Sequence, residues 1–131
     1  MSAFLTTNRG LAVSSEATLQ QQIRLALGMR DDIMMFRINV GTFLPMSGPK
    51  RAIKSAPDGT PDLLGVIRRE FAMIDVPPIG IGQAFGIEVK SQKGRQREAQ
   101  RAFQVAWEKR GGIYILARSL EDVYRGLDIA P

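Results

Sequence analysis

The sequence predicts an α/β fold in which one mixed sheet packs between helices, and three observations lead there. Apolar residues recur at helical spacing over residues 14–28, 96–110 and 119–127. Short runs rich in β-branched and aromatic residues fall at 34–41, 60–67, 85–90 and 113–117. The two kinds of segment are interleaved in the order αβββαβα, which suits a sheet flanked by helices rather than two separate layers of one kind. At 131 residues, 44% hydrophobic and 24% charged, the chain has the length and composition for one packed core.

Residues 1–13 show no sustained period and include Thr6, Thr7, Asn8, Arg9 and Gly10. They read as a loosely held N-terminal arm, leaving 14–131 as a single domain. From Ser14 the pattern turns helical. Glu16, Gln20, Ile23 and Leu27 share a face with Leu19 and Ala26 beside it, Ser14 or Ser15 caps the start, and Gly28 marks the end.

Residues 34–41 (MMFRINVG) read as a strand that enters a long loop, TFLPMSGPKRAIKSAPDG. Lys50, Arg51 and Lys54 sit in that loop among Gly and Pro, a pattern that fits a phosphate-tracking segment as well as a solvated surface. Residues 60–67 (TPDLLGVI) form the next strand, with Pro61 at an entry position where a missing N–H is tolerated. Residues 85–90 (FGIEVK) form another, and the stretch between extends a hairpin with Pro77 and Pro78 near its turn.

Residues 96–110 (QREAQRAFQVAWEKR) give the clearest helix, with Phe103 and Trp107 on its buried stripe and Gly111 and Gly112 ending it. A short buried strand, IYILA, follows at 113–117. Ser119 then caps a last helix running to about residue 127.

The chain has no cysteine and no histidine, so disulfide scaffolds, zinc fingers, Cys nucleophiles and His-based acids, bases or metal sites are excluded. Chemistry must rest on carboxylates, Lys, Tyr, Ser or Thr, and a metal site must use oxygen ligands that select hard ions. Eighteen Lys and Arg against 13 Asp and Glu give a net charge of +5, which favours an anionic partner. No apolar stretch approaches the ~20 residues of a membrane span, so no membrane partner and a cytoplasmic location are expected.

Side chains alternate along a strand, so Glu88 and Lys90 in EVK point to one face and Val89 to the other. If the TPDLLG strand lies beside EVK, Asp62 completes a two-carboxylate site next to an ammonium. That is a chemistry suited to a hard divalent cation and phosphodiester hydrolysis. Taken singly, E-x-K is also the pattern of an exposed ion pair on an edge strand, and PD is also turn chemistry.

GTPDLLG, then EVKSQKGRQREAQ, then GGIYILARSLEDV together resemble the virus-type replication-repair nuclease group (VRR-NUC) of the PD-(D/E)XK superfamily, over residues 14–127. The likeness lies in the order of the motifs. It implies a restriction-endonuclease-like core, DNA-repair nuclease activity, and a Mg²⁺ cofactor for which Mn²⁺ substitutes. By position, Asp62 and Glu88 resemble the family's metal ligands with the Val89 carbonyl as a third, Lys90 its catalytic lysine, Gln100 its helical glutamine turned toward the metal-bound water or DNA, and Glu16 the acidic residue of its first helix, placed to bind a metal-bound water or a second metal. Asn39 occupies a strand position where the family often has a polar residue. The long separation between Asp62 and Glu88 departs from compact members.

The expected function is Mg²⁺-dependent endonucleolytic cleavage of DNA, selective for branched substrates such as four-way junctions. The alternatives are a non-catalytic nucleic-acid-binding module that keeps the fold, or a nuclease acting on RNA. Lys93, Arg95, Arg97 and Arg101, just beyond EVK, are the expected phosphate contacts beside Lys50, Arg51 and Lys54. A homodimer is expected because the insert at 68–84 carries more apolar residues than a short hairpin needs. No nucleotide cofactor is expected.

Overall fold

The computed structural model of the protein describes residues 15–48 and 51–131, so the arm expected over 1–13 and Lys50 lie outside it. Helix α1 (Ser15–Gly28) turns Leu19, Ile23 and Leu27 inward at the four-residue spacing that stacks side chains on one face. Strand β1 (Ile33–Arg37) follows, then the two-residue strands β2 (Thr42–Phe43) and β3 (Ile53–Lys54). The long strands β4 (Leu63–Met73) and β5 (Val76–Val89) lead to helix α2 (Glu98–Lys109), strand β6 (Ile113–Ala117) and helix α3 (Leu120–Leu127).

The main sheet has the order β1-β4-β5-β6. Its first three strands pair antiparallel and β5 pairs parallel with β6, so the sheet is mixed. Helix α2 supplies the crossover that a parallel pair requires. With the separate β2–β3 pair set aside, the order among the described residues is αβββαβα, as the sequence pattern implies.

One face of the sheet carries the core. Leu63 and Ile67 of β4, Phe85, Ile87 and Val89 of β5, and Ile115 and Ala117 of β6 are buried against α1 and against Val123 and Leu127 of α3. Alternation sends Glu88, Tyr114 and Leu116 to the opposite face, where Gln100 and Phe103 of α2 meet Glu88 and Tyr114. Among the described residues that second face is covered only at its β5–β6 end. At the other end Met34, Phe36 and Val66 stay 73%, 57% and 41% exposed, so the sheet lies between helices over part of its width.

Three local expectations are corrected. The strand expected at 34–41 runs instead from Ile33 to Arg37; Ile38 N–H still donates to the Asp62 carbonyl at 2.8 Å, the next rung of the same register, and pairing ends where its partner strand reaches Pro61, which has no N–H to give. The strand expected to start at residue 60 starts at Leu63, after Pro61, which has no N–H to give a ladder. The loop expected over 42–59 contains a two-residue ladder, Thr42↔Lys54 and Phe43↔Ile53, too short to leave a period in the sequence.

The hairpin expected between the two motif strands is present and long, paired from Leu63↔Ile87 to Met73↔Val76 with an irregularity between Phe71 and Met73. Asp75, at a left-handed φ of 66°, makes the turn, and Pro77 and Pro78 begin the returning strand. Beyond the covering helices the ribbon exposes Phe71, Met73, Ile74, Val76, Ile79 and Ile81.

Candidate active site

Glu88 lies next to the end of β5 and is 5% exposed. Lys90 continues the strand's pairing, its N–H donating to the Ala117 carbonyl at 3.0 Å, so the period-two alternation carries through and its side chain returns to the Glu88 face. Lys90 Nζ stands 3.7 Å from Glu88 Oε1, and both side chains are largely enclosed.

Asp62 sits on the chain entering β4. Buried Pro61 precedes it, and Gly59 at φ 88° takes the chain so close to α2 that a Cβ there would overlap the Ala99 carbonyl. From this entry Asp62 Oδ2 accepts the Val89 N–H at 2.9 Å, so the carboxylate is fixed against the residue between Glu88 and Lys90. Its Oδ1 has no hydrogen bond among the described residues.

Helix α2 brings Gln100, 3% exposed, to the same place. Its Nε2 donates to Glu88 Oε1 at 2.6 Å, while its own Oε1 accepts the Arg97 N–H at 2.8 Å at the helix start. The glutamine on the helical stripe with Phe103 and Trp107 is thus turned to the carboxylate, and the two rings stack at 5.2 Å within the packing of α2. From α1, Glu16 Oε1 accepts the Ser91 N–H at 2.9 Å and closes the other side of the site.

The electrostatics follow from burial and like charge. Burial first, and the neighbouring Asp62 charge second, push the Glu88 carboxyl up to about 7 against the pull of Lys90. Asp62 is also raised, chiefly by burial, with the Val89 hydrogen bond and the Lys90 charge opposing. Glu88 Oε2 is the one enclosed side-chain oxygen or nitrogen among the described residues that has no partner.

A buried unsatisfied carboxylate oxygen beside a second carboxylate is the electrostatic situation that a bound cation relieves. Asp62 and Glu88 offer the hard oxygen donors that Mg²⁺ or Mn²⁺ takes. Among the described residues no group of three or more acidic side chains is gathered to hold an ion alone. The residues present therefore fit a site of two carboxylates completed by a backbone carbonyl, water and substrate oxygen.

The basic residues divide. Lys93, Arg95, Arg97 and Arg101 are exposed along the 91–97 segment and the first turn of α2, and the Arg97 charge reaches Glu88. Arg51 and Lys54 are exposed on the β2–β3 segment, and Lys54 pairs with Asp58 at 3.1 Å. Asn39 is exposed, and its carbonyl accepts from the Ser55 hydroxyl.

Arg118 belongs to this site although sequence reasoning passed over it. Its Nη1 donates to the Ser91 carbonyl at 2.6 Å and the Gly94 carbonyl at 2.7 Å, pinning the turn that follows Lys90. The Gln92 side-chain amide donates back to the Arg118 carbonyl at 3.2 Å. Backbone carbonyl partners leave no side-chain pattern to read, so no signal in the sequence marked this clamp.

Comparison of the chain with protein-family models, with curated proteins and with solved structures finds no match in any of the three. Among the described residues no helix is long and apolar enough to cross a membrane.

Proposed function

We propose that this chain is a divalent-metal-dependent nuclease with a restriction-endonuclease-like core that hydrolyses DNA phosphodiesters. The observation that carries the reading is the meeting of Asp62 and Glu88 in an enclosed site, with Glu88 Oε2 unpartnered and Lys90 3.7 Å away. A binding module has no use for two carboxylates that repel phosphate, whereas a hydrolytic site needs them.

Asp62 and Glu88, with the Val89 carbonyl, would hold Mg²⁺ or Mn²⁺. When bound, the cation polarises the phosphoryl oxygens and makes water a stronger nucleophile near neutral pH. Lys90 orients the attacking water and offsets charge that builds on the phosphoryl group as the water oxygen bonds to phosphorus and the ester oxygen leaves. Gln100 fixes the Glu88 carboxylate through Oε1, which keeps Oε2 directed elsewhere. Glu16 contributes a third carboxylate at the rim. Lys93, Arg95, Arg97 and Arg101 take phosphates on either side of the cut.

Branched DNA, including four-way junctions, is the proposed substrate, and a two-fold homodimer the proposed assembly. The exposed apolar row of the β4–β5 ribbon is the surface offered to the second copy. Sedimentation at micromolar protein is expected to give the dimer mass, and a monomer with and without DNA would refute it.

Incubating the protein with labelled duplex, flap and four-way-junction DNAs in Mg²⁺, Mn²⁺ or EDTA tests the function. Metal-dependent strand cutting, fastest on branched forms, is expected. Metal-independent binding without cutting would return the chain to the class of binding modules, and cutting of RNA alone would reassign the substrate.

A further inference from the structure

A groove of about 810 Å³ runs beside Asp62, between α1 and the edge strand β1. Asp62, Val89 and Glu16 line it, so it opens onto the proposed site of cleavage. Its remaining polar lining is Gln20, Gln21 and Arg24 on α1 and Arg37 on β1. Arg24 and Arg37 are exposed, and neither is in an ion pair among the described residues.

We propose that this groove is a subsite for single-stranded DNA, receiving the unpaired strand on one side of the cut. The assignment rests on the reading of Asp62 and Glu88 as the site of cleavage and narrows its substrate class to DNA in which duplex gives way to a free strand. Shape is the first reason. The groove's volume of about 810 Å³ is the size of a pocket that takes a small organic ligand, roughly two nucleotides of a single strand, and is too small to enclose a duplex.

Chemistry is the second. Two guanidiniums along a groove track successive phosphates, and side-chain amides supply both a donor and an acceptor to the base edges that a paired strand would keep hidden. Continuity is the third. A strand lying along Arg24 and Arg37 reaches Asp62 without crossing another element, because Asp62 and Arg37 line the same groove.

The test is the affinity of the protein, in EDTA so that nothing is cut, for a labelled duplex with a short single-stranded tail of either polarity and for the same duplex with blunt ends. The tailed form is expected to bind about tenfold more tightly, and the ratio of the two affinities to fall toward one in Arg24→Ala/Arg37→Ala. A tail that adds no affinity to the wild type, or an advantage that survives both substitutions, overturns the subsite. Photo-crosslinking of the wild type to a tail carrying thiothymidine needs no variant. Crosslinks in the peptides holding Gln20, Gln21 and Arg24 or Arg37 are expected, and crosslinks confined to other peptides overturn the proposal. Tail preference without metal-dependent cutting would defeat the nuclease reading alone, and cutting without tail preference would defeat the subsite alone.

Discussion

Gln100 Nε2 and Glu88 Oε1 lie 2.6 Å apart across the contact between α2 and β5, with neither residue more than 5% exposed. The amide is held from its other end by the Arg97 N–H, so one side chain joins the start of α2 to the carboxylate. In Gln100→Leu both bonds are lost while the volume is nearly kept, leaving a buried carboxylate with Lys90 as its remaining side-chain partner. A loss of about 1–3 kcal/mol of stability is expected. Urea denaturation of the two proteins measures it, and an unchanged midpoint would show that the bond does not hold α2 to the sheet.

The metal-free protein is expected to lose stability as pH rises. The Glu88 carboxyl is pushed up to about 7 in the folded protein from an ordinary value near 4.5, so the folded state binds the extra proton between those two values. Its contribution is fully present below the lower pKa and is lost as pH rises through the upper one. Asp62 is raised in the same direction and adds to the trend. The urea midpoint in EDTA should fall between about pH 5 and about pH 8, by an amount on the order of 1–3 kcal/mol in stability, and Glu88→Gln should flatten most of the slope. A midpoint that rises with pH over this window would contradict the assigned environment.

The clamp from Arg118 to the Ser91 and Gly94 carbonyls sets the turn between Lys90 and α2. Arg118→Met keeps the length of the side chain and removes both donors. Amide hydrogen exchange at Ser91 and Gly94, whose N–H groups donate to Glu16 and to Ser91, should quicken by about tenfold, corresponding to about 1.4 kcal/mol of lost local stability. Exchange should change little in the β4–β5 ribbon, which the clamp does not touch. Wild-type exchange rates at Ser91 and Gly94 in the variant would show that the turn holds itself.

Much of the fold is legible in the sequence because its signals are local. Strand β6 falls on the predicted residues since IYILA is a short apolar run between Gly112 and Ser119, and Ser119 Oγ accepts the Asp122 N–H at 3.2 Å as a cap residue does. Glu88 and Lys90 share a face because a strand's period is two. What escaped reading is set by tertiary contact. The Glu16 carboxylate meets an N–H 75 residues away, the Asp62 carboxylate meets one 27 residues away, and the α1–β1 groove exists only once the helix lies along the edge strand. The two-residue strands β2 and β3 lack enough residues to show any period.

The central claim, that Asp62 and Glu88 form a metal-dependent phosphodiester-cleaving site, is tested most directly by single-turnover cleavage of labelled branched DNA by the wild type and by Glu88→Ala. The wild type is expected to cut in Mg²⁺ and to stop in EDTA. Glu88→Ala, with its circular dichroism unchanged and its DNA binding largely retained, is expected to cut at least about 100-fold more slowly, because the lost group acts in the transition state. Wild-type-like cutting by Glu88→Ala would contradict the account.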